Sequence, residues 1–295
     1  MSKPHSSYLK NPTIIRLWSD DAPNNKASTK AEYTEEKNGI TLIRCVQEPT
    51  IEVRLPAKRQ INTPTVLIFP GGGYECLAYE WEGVEIASLL NAHGIAAVIV
   101  KYRLPDPESN IASHIVPLLD AERAIRTVRQ NAAVWGIDRE RIGVIGFSAG
   151  GHLASTLGTQ FTTGNEKAPD PIDRLSSRPD FMGLVYPATE FSNSVSESAS
   201  RDNLLGKEPS EPLIERYSNR LHITPETPPT FLLHASDDEV VPVSGTVSFY
   251  QALLREGVYA EMHLYPNGGH GFSLAHDRGR LANWGRLFVD WIKAL

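Results

Sequence analysis

The chain has 295 residues, 41% hydrophobic and 22% charged, with a formal net charge of −6. That is enough apolar length for one large core, and an acidic balance without a basic run excludes a nucleic-acid footprint. Cys45 and Cys76 make neither a disulfide framework nor a metal-ligand spacing, and no run of about 18 apolar residues supports a membrane span.

Residues 1–38 are rich in Pro, Asn, Lys, Ser and Glu and read as an extended arm, pinned to the body by Ile14, Leu17 and Trp18. The polar start lacks the apolar core of a signal peptide, so the expected compartment is cytoplasmic; a secreted or periplasmic chain already freed of its leader would read the same. Runs at 40–46 and 51–55 suit a pair of leading strands at a sheet edge. A buried-strand run at 65–69 ends in Pro70-Gly71-Gly72-Gly73-Tyr74, where bare backbone can approach a substrate closely. A helix follows over 82–92, then a continuous apolar strand over 95–100. Residues 117–134 form an amphipathic helix, with Ala121, Ala124, Ile125 and Val128 inward and Asp120, Glu122, Arg123, Arg126 and Arg129 expected on a solvated face.

Further strands are expected at 142–145, 181–186, 231–235 and 258–265, with helices behind Ser148 and over 243–256 and 281–295. Residues 188–228 carry only short helical pieces and read as a lid-like segment. Strands alternating with helices predict one domain over 39–295, an α/β fold with a mostly parallel sheet and helices on both faces. Ligands of such a sheet sit beyond the carboxyl ends of its strands.

Gly146-Phe147-Ser148-Ala149-Gly150 fits G-x-S-x-G between a strand and a helix, the context in which a tight turn lifts a serine hydroxyl above the sheet. A serine hydroxyl needs a base within hydrogen-bond reach. His270 sits in Asn267-Gly268-Gly269-His270-Gly271-Phe272, a glycine-rich loop after the last strand that can return an imidazole to the sheet edge. A carboxylate must orient that imidazole, and Asp237 or Asp238 supplies one just after a strand. The backbone N–H of Ala149, with those of Gly72 and Gly73, and of Tyr74 as a further option, would hold a developing oxyanion. His152, one turn down the helix from Ser148, and His234, at a strand end, read as structural. Tyr74, Tyr102 and Tyr186 are candidate aromatic walls for a sugar. Neither H-E-x-x-H nor G-x-G-x-x-G occurs, so no metal and no cofactor is expected.

On these residues the chain resembles the α/β-hydrolase superfamily, and within it the bacterial carbohydrate-esterase branch labelled acetyl xylan esterase or esterase/lipase. The matching segments are Phe69-Pro-Gly-Gly-Gly-Tyr74, Val100-Lys-Tyr-Arg-Leu-Pro105, Leu119-Asp-Ala-Glu-Arg-Ala124, Ile145-Gly-Phe-Ser-Ala-Gly-Gly-His-Leu153, Pro228-Pro-Thr-Phe231, Asp238-Glu-Val-Val-Pro242 and Gly268-Gly-His-Gly-Phe272. Leu17-Trp18 and Ala22-Pro23 fit the arm of that branch. Many relatives have His-Gly-Gly-Gly where this chain has Pro70-Gly-Gly-Gly, which leaves the backbone donors in place. The resemblance implies an α/β-hydrolase fold of about eight strands with a small lid-like insertion. It implies a serine carboxylic-ester hydrolase removing short acyl groups, above all acetyl, from a small-molecule or carbohydrate ester, with no nucleic-acid or membrane partner. Its acid commonly stands four residues before a proline that opens a helix, which selects Asp238, ahead of Pro242, over Asp237. Ser148, His270 and Asp238 then form the triad. A serine peptidase of the same fold is the first alternative, though the chain lacks the propeller domain that usually gates one. A non-catalytic binding protein is the second, and it normally shows a broken triad. Oligomeric state is not legible.

Overall fold

Largely apolar runs with no polar face to offer solvent must lie inside a sheet covered on both sides. In the computed structural model, which describes residues 12–58, 62–191 and 199–295, such runs do so. The chain opens with β1 (Thr13–Arg16), β2 (Tyr33–Lys37), β3 (Ile40–Arg44), β4 (Thr50–Arg54), β5 (Thr65–Phe69) and β6 (Cys76–Leu77). A π-helical turn, Glu80–Val84, then leads into α1 (Glu85–Ala92), β7 (Ala96–Lys101), α2 (Val116–Trp135), β8 (Ile142–Phe147), α3 (Ala149–Thr159) and β9 (Met182–Val185). The remainder is α4 (Ala199–Leu205), α5 (Glu211–Tyr217), β10 (Thr230–Ala235), α6 (Val243–Arg255), β11 (Ala260–Tyr265) and α7 (Trp284–Ala294). Residues 1–11 of the expected arm and 192–198 of the expected lid-like segment lie outside the described residues.

The main sheet has eight strands in the order β1-β4-β7-β5-β8-β9-β10-β11. β7 through β11 run parallel, and β4 and β1 close one edge antiparallel. Ile125 and Val128 of α2, Leu153 and Leu157 of α3 and Phe249 of α6 cover one face. Ile86 and Leu90 of α1 with Trp284, Phe288 and Ile292 of α7 cover the other. Among the described residues no helix is long and apolar enough to cross a membrane.

Three expectations are corrected. The runs at 40–46 and 51–55 do not pair with each other. Cys45, with φ of 54°, redirects the chain between them. β3 therefore joins β2 and β6 in a separate three-stranded sheet, while β4 enters the main sheet between β1 and β7. Second, the Ile14 side chain does not pin the arm: β1 is an edge strand whose side chains alternate, so Ile14 is 66% exposed while Ile15 packs on the core and Leu17 is buried. Third, the charges of α2 are not a solvated face. Asp120, Arg123 and Arg129 are buried, because the loops after β7 and α3 pack over that side of the helix and supply their partners.

Candidate active site

Ser148 stands between β8 and α3 with φ of 53° and ψ of −118°, a conformation non-glycine residues rarely hold. Its surroundings leave no room for side chains on either flank. A Cβ on Gly146 would lie 2.1 Å from the carbonyl oxygen of Gly150, and one on Gly150 would lie 2.1 Å from that of Phe69. The Ser148 amide donates to the carbonyl of Val185 on the adjacent strand, which anchors the turn. The hydroxyl is left at the carboxyl edge of the sheet, over the N-terminus of α3.

The loops after β10 and β11 meet it there. Ser148 Oγ lies 2.8 Å from His270 Nε2, and His270 Nδ1 lies 2.7 Å from Asp238 Oδ2. Asp238 Oδ1 accepts the amides of Val240 and Val241 at 2.9 and 2.8 Å. Burial alone would raise the Asp238 carboxyl. Hydrogen bonds from His234, His270 and the Val241 amide outweigh it and hold the group far below the usual carboxylate range. An ionised carboxylate only accepts, so His270 Nδ1 carries the ring proton and Nε2 is free to accept from the serine hydroxyl.

Two neighbours support this chain of bonds, of which His234 carries no mark in the sequence. His234 Nε2 lies 3.0 Å from Asp238 Oδ2 and 3.1 Å from the Val241 carbonyl, while its Nδ1 faces the Thr246 hydroxyl at 2.7 Å. Both partners of Nε2 are acceptors, so that nitrogen is the donor and Asp238 is shared by two imidazoles. Asp237 Oδ1 accepts the amides of Gly268 and Gly269 at 2.8 and 2.7 Å. It thereby braces the loop that carries His270, while the adjacent Asp238 contacts His270 itself. The structure thus brings Ser148, His270 and Asp238 together and keeps Asp237 apart from the imidazole.

Ala149 opens α3, where the first amides of a helix have no intrahelical acceptor. Gly72 and Gly73 adopt φ of 130° and 64° in the loop after β5. Glu82 Oε2 accepts the preceding amide, that of Gly71, at 2.7 Å. Ser148 and His270 open onto a cavity of about 270 Å³ lined by Gly72, Gly73, Ile40, Leu42, Ala78, Trp81, Glu82, Ala199, Ser200, Val240, Val241 and Gly271.

The three candidate tyrosines do not line that cavity. Tyr74, Tyr102 and Tyr186 are at most 2% exposed. Their hydroxyls meet His152 Nδ1, the Pro70 carbonyl and Glu82 Oε1 at 2.8, 2.7 and 2.7 Å, and burial pushes all three phenols well up. Loops near an active edge also need internal packing, and these tyrosines supply it. The aromatic ring that lines the cavity is that of the half-buried Trp81, which sequence reading missed because it sits where a helix start was expected.

His152 is fully buried, stacked on Phe191 at 4.1 Å between ring centroids, with Nε2 on the Tyr217 carbonyl. Burial pulls its imidazole down to about 4, against a smaller upward effect of that carbonyl. Its two ring nitrogens are engaged by the Tyr74 hydroxyl and the Tyr217 carbonyl rather than by Ser148 Oγ. Among the described residues no group of three or more His, Cys, Asp or Glu is placed to hold a metal ion.

Comparison with known proteins agrees with this architecture. The BD-FAE family matches residues 51–253. An acetylxylan esterase of Xylanibacter ruminicola is 36% identical over 229 residues, covering 73% of this chain and 44% of that protein. Esterase LipC of Mycobacterium tuberculosis is 30% identical over 222 residues, covering 72% of this chain and 53% of its own length. The chain thus spans about half, or less, of these curated relatives. The crystal structure of an acetyl ester-xyloside bifunctional hydrolase from Caldicellulosiruptor lactoaceticus superposes with a TM-score of 0.82 at 36% identity, covering 96% of each chain. The fold is the α/β-hydrolase fold.

Proposed function

The chain belongs to the BD-FAE family, and from that premise we propose that it is a serine carboxylic-ester hydrolase removing short acyl groups, chiefly acetyl, from a carbohydrate. The observation that carries this reading is the unbroken series Ser148–His270–Asp238 at the mouth of a cavity on the carboxyl edge of the sheet. Its likeness to an acetylxylan esterase and to a solved acetyl ester-xyloside hydrolase supports the substrate class.

Ser148 Oγ attacks the ester carbonyl carbon as its proton passes to His270 Nε2. The amides of Ala149, Gly72 and Gly73 hold the oxyanion that forms. The tetrahedral intermediate collapses, the carbon–oxygen bond to the alcohol breaks, and His270 returns its proton to the leaving oxygen. Water then enters, gives a proton to His270 and attacks the acyl carbon; collapse releases the carboxylic acid and restores the Ser148 hydroxyl. Asp238 keeps the Nδ1–H tautomer and stabilises the imidazolium at each transfer. Trp81, Ile40 and Leu42 wall the substrate.

A hydrolysis panel tests this: p-nitrophenyl acetate, butyrate and octanoate, acetylated xylan, and an aminoacyl-proline amide. Acetate is expected to turn over faster than octanoate, and acetylated xylan to release acetate. Peptide cleavage without ester cleavage refutes the proposal and favours the peptidase reading.

A further inference from the structure

One short turn holds together two loops that come from distant strands. The oxyanion loop, Gly71–Gly73, follows β5, and the His270 loop follows β11; β8, β9 and β10 separate their strands in the sheet. The π-helical turn Glu80–Val84 reaches both. Single π-turns insert an extra residue into a helix and recur at functional sites. Here two consecutive residues of the turn are committed to the site. Glu82 Oε2 accepts the Gly71 amide at 2.7 Å, and Oε1 accepts the Tyr186 hydroxyl at 2.7 Å. That hydroxyl in turn accepts the amide of Ser273 at 3.0 Å, three residues beyond His270. Trp81 Nε1 donates to the Gly271 carbonyl at 2.9 Å, and the Trp81 carbonyl accepts the Ser273 hydroxyl.

The protonation state of Glu82 follows from its partners. A backbone N–H can only donate, and Tyr186, already accepting from Ser273, has its own proton to give. Both carboxylate oxygens therefore accept, and the ionised form is the one the site is built for. Glu82 is 3% exposed. Burial pushes its carboxyl up, and Tyr186, the Gly71 amide and the charge of His270 act against that. An apolar residue would fill this position at lower cost than a buried charge, unless the charge is used. The groups facing Glu82 are Tyr186 beyond β9, Tyr102 beyond β7, Cys76 on β6 and His270 beyond β11.

We infer that Glu82 is a positioning residue for the reaction: as a carboxylate it holds the oxyanion loop and the His270 loop in register, and its charge favours the imidazolium that His270 becomes. The inference rests on the ester-hydrolase reading proposed above. No step of the reaction passes through Glu82. It acts through Gly71, whose displacement would carry the Gly72 and Gly73 donors off target, and through Tyr186 and Ser273.

Glu82→Gln keeps the shape and one acceptor for Gly71, but its amide cannot accept from Tyr186 and carries no charge. Losing an oxyanion donor outright costs about 10²–10³ in kcat, so misplacing donors and removing the charge is expected to cost about 10- to 100-fold in kcat on p-nitrophenyl acetate, with KM changed by less than about threefold. The acidic limb of the kcat/KM profile is expected to move to lower pH, because the protonated imidazole loses a stabilising charge. Tyr186→Phe keeps the carboxylate and its bond to Gly71 while cutting the link to Ser273. It remains informative if Glu82→Gln fails to fold, and is expected to lower kcat about fivefold or more at constant KM. Wild-type kcat in a folded Glu82→Gln protein, or a lowered kcat with an unmoved acidic limb, overturns the inference; so does wild-type kcat in Tyr186→Phe. Wild-type protein inert toward every ester overturns the hydrolase reading itself, a result distinct from an active wild type with an equally active Glu82→Gln.

Discussion

Asp120→Asn is expected to destabilise the protein by about 3–5 kcal/mol, the cost of removing one member of a buried ion pair. Asp120 on α2 and Arg103 just beyond β7 are both fully buried. Asp120 accepts from the Arg103 amide, Nε and one terminal nitrogen at 2.9, 2.9 and 2.8 Å, and from Trp18 Nε1 at 3.0 Å. The other terminal nitrogen of Arg103 donates to the Pro23 carbonyl and to Asn25 Oδ1, both at 2.7 Å. The pair thus ties β7, α2 and residues 18–25 together where neither side chain is exposed to solvent. Asparagine matches aspartate in volume, so packing is unchanged. It leaves the guanidinium charge uncompensated and turns an NH₂ toward a donor. At about 2–4 °C per kcal/mol for a chain near this size, the midpoint should fall by roughly 6–20 °C. Urea unfolding followed by tryptophan fluorescence, with a thermal scan, measures both. Adding Arg103→Met removes the stranded charge, so the double variant should be more stable than Asp120→Asn alone. A loss below about 1 kcal/mol for Asp120→Asn would show that the pair is solvated and that the reasoning fails.

Ser148→Ala should abolish turnover, by about 10⁶ as in a related triad, with its fold intact by circular dichroism, and a fluorophosphonate should label the wild type at Ser148 only. His270→Ala should lose several orders of magnitude in kcat at neutral pH, whereas His152→Gln should act on stability. His152 titrates near 6.5 when unfolded and only at about 4 when folded, so between those values the unfolded state binds the extra proton and stability falls as pH falls; urea midpoints from pH 7 to 4 should drop less steeply in His152→Gln than in wild type. Asp238→Asn should cost on the order of 10⁴ in kcat, as in another serine triad, and Asp237→Asn far less, since an amide oxygen can still accept from Gly268 and Gly269; inactive Asp237→Asn with active Asp238→Asn would place the acid one residue earlier.

What could be read along the chain was whatever local pattern decides. Strands such as β5 and β8 are buried at every position and, Thr65 apart, carry no polar side chain, and a parallel sheet with helices on both faces is nearly the only way to cover them. The partner of a strand is another matter. β3 and β4 look alike in composition, and only the turn at Cys45 and the packing of β6 against β3 send them into different sheets. Helix faces show the same division. The apolar stripe of α2 is periodic and legible, but its charged side looks solvated until Arg103 and residues 162–180 are in place over it.

The site divides along the same line. Ser148, His270 and the Asp237–Asp238 pair are legible because each stands in a loop whose glycines or position after a strand has no other local use, and those loops all empty onto one edge of the sheet. Glu82 and His234 carry no such mark. Glu82 meets the site through Gly71 and Tyr186, and His234 bonds Asp238 itself, but by sequence one is a helix-start glutamate and the other a histidine in an apolar strand. The tyrosines show the converse: aromatic rings beside a glycine-rich loop look like substrate walls, yet a loop held to sub-ångström geometry needs buried, hydrogen-bonded side chains beneath it. Tyr102 on the Pro70 carbonyl and Tyr186 on Glu82 serve that need. A residue's nearness in sequence to a reactive loop therefore predicts that it supports the loop at least as readily as that it meets the substrate. The distinction lies in where its polar atom is spent. A hydroxyl whose proton is already given to a buried carbonyl or carboxylate has no donor left for a sugar, whereas the Trp81 indole spends its N–H on Gly271 and still lines the cavity with its ring.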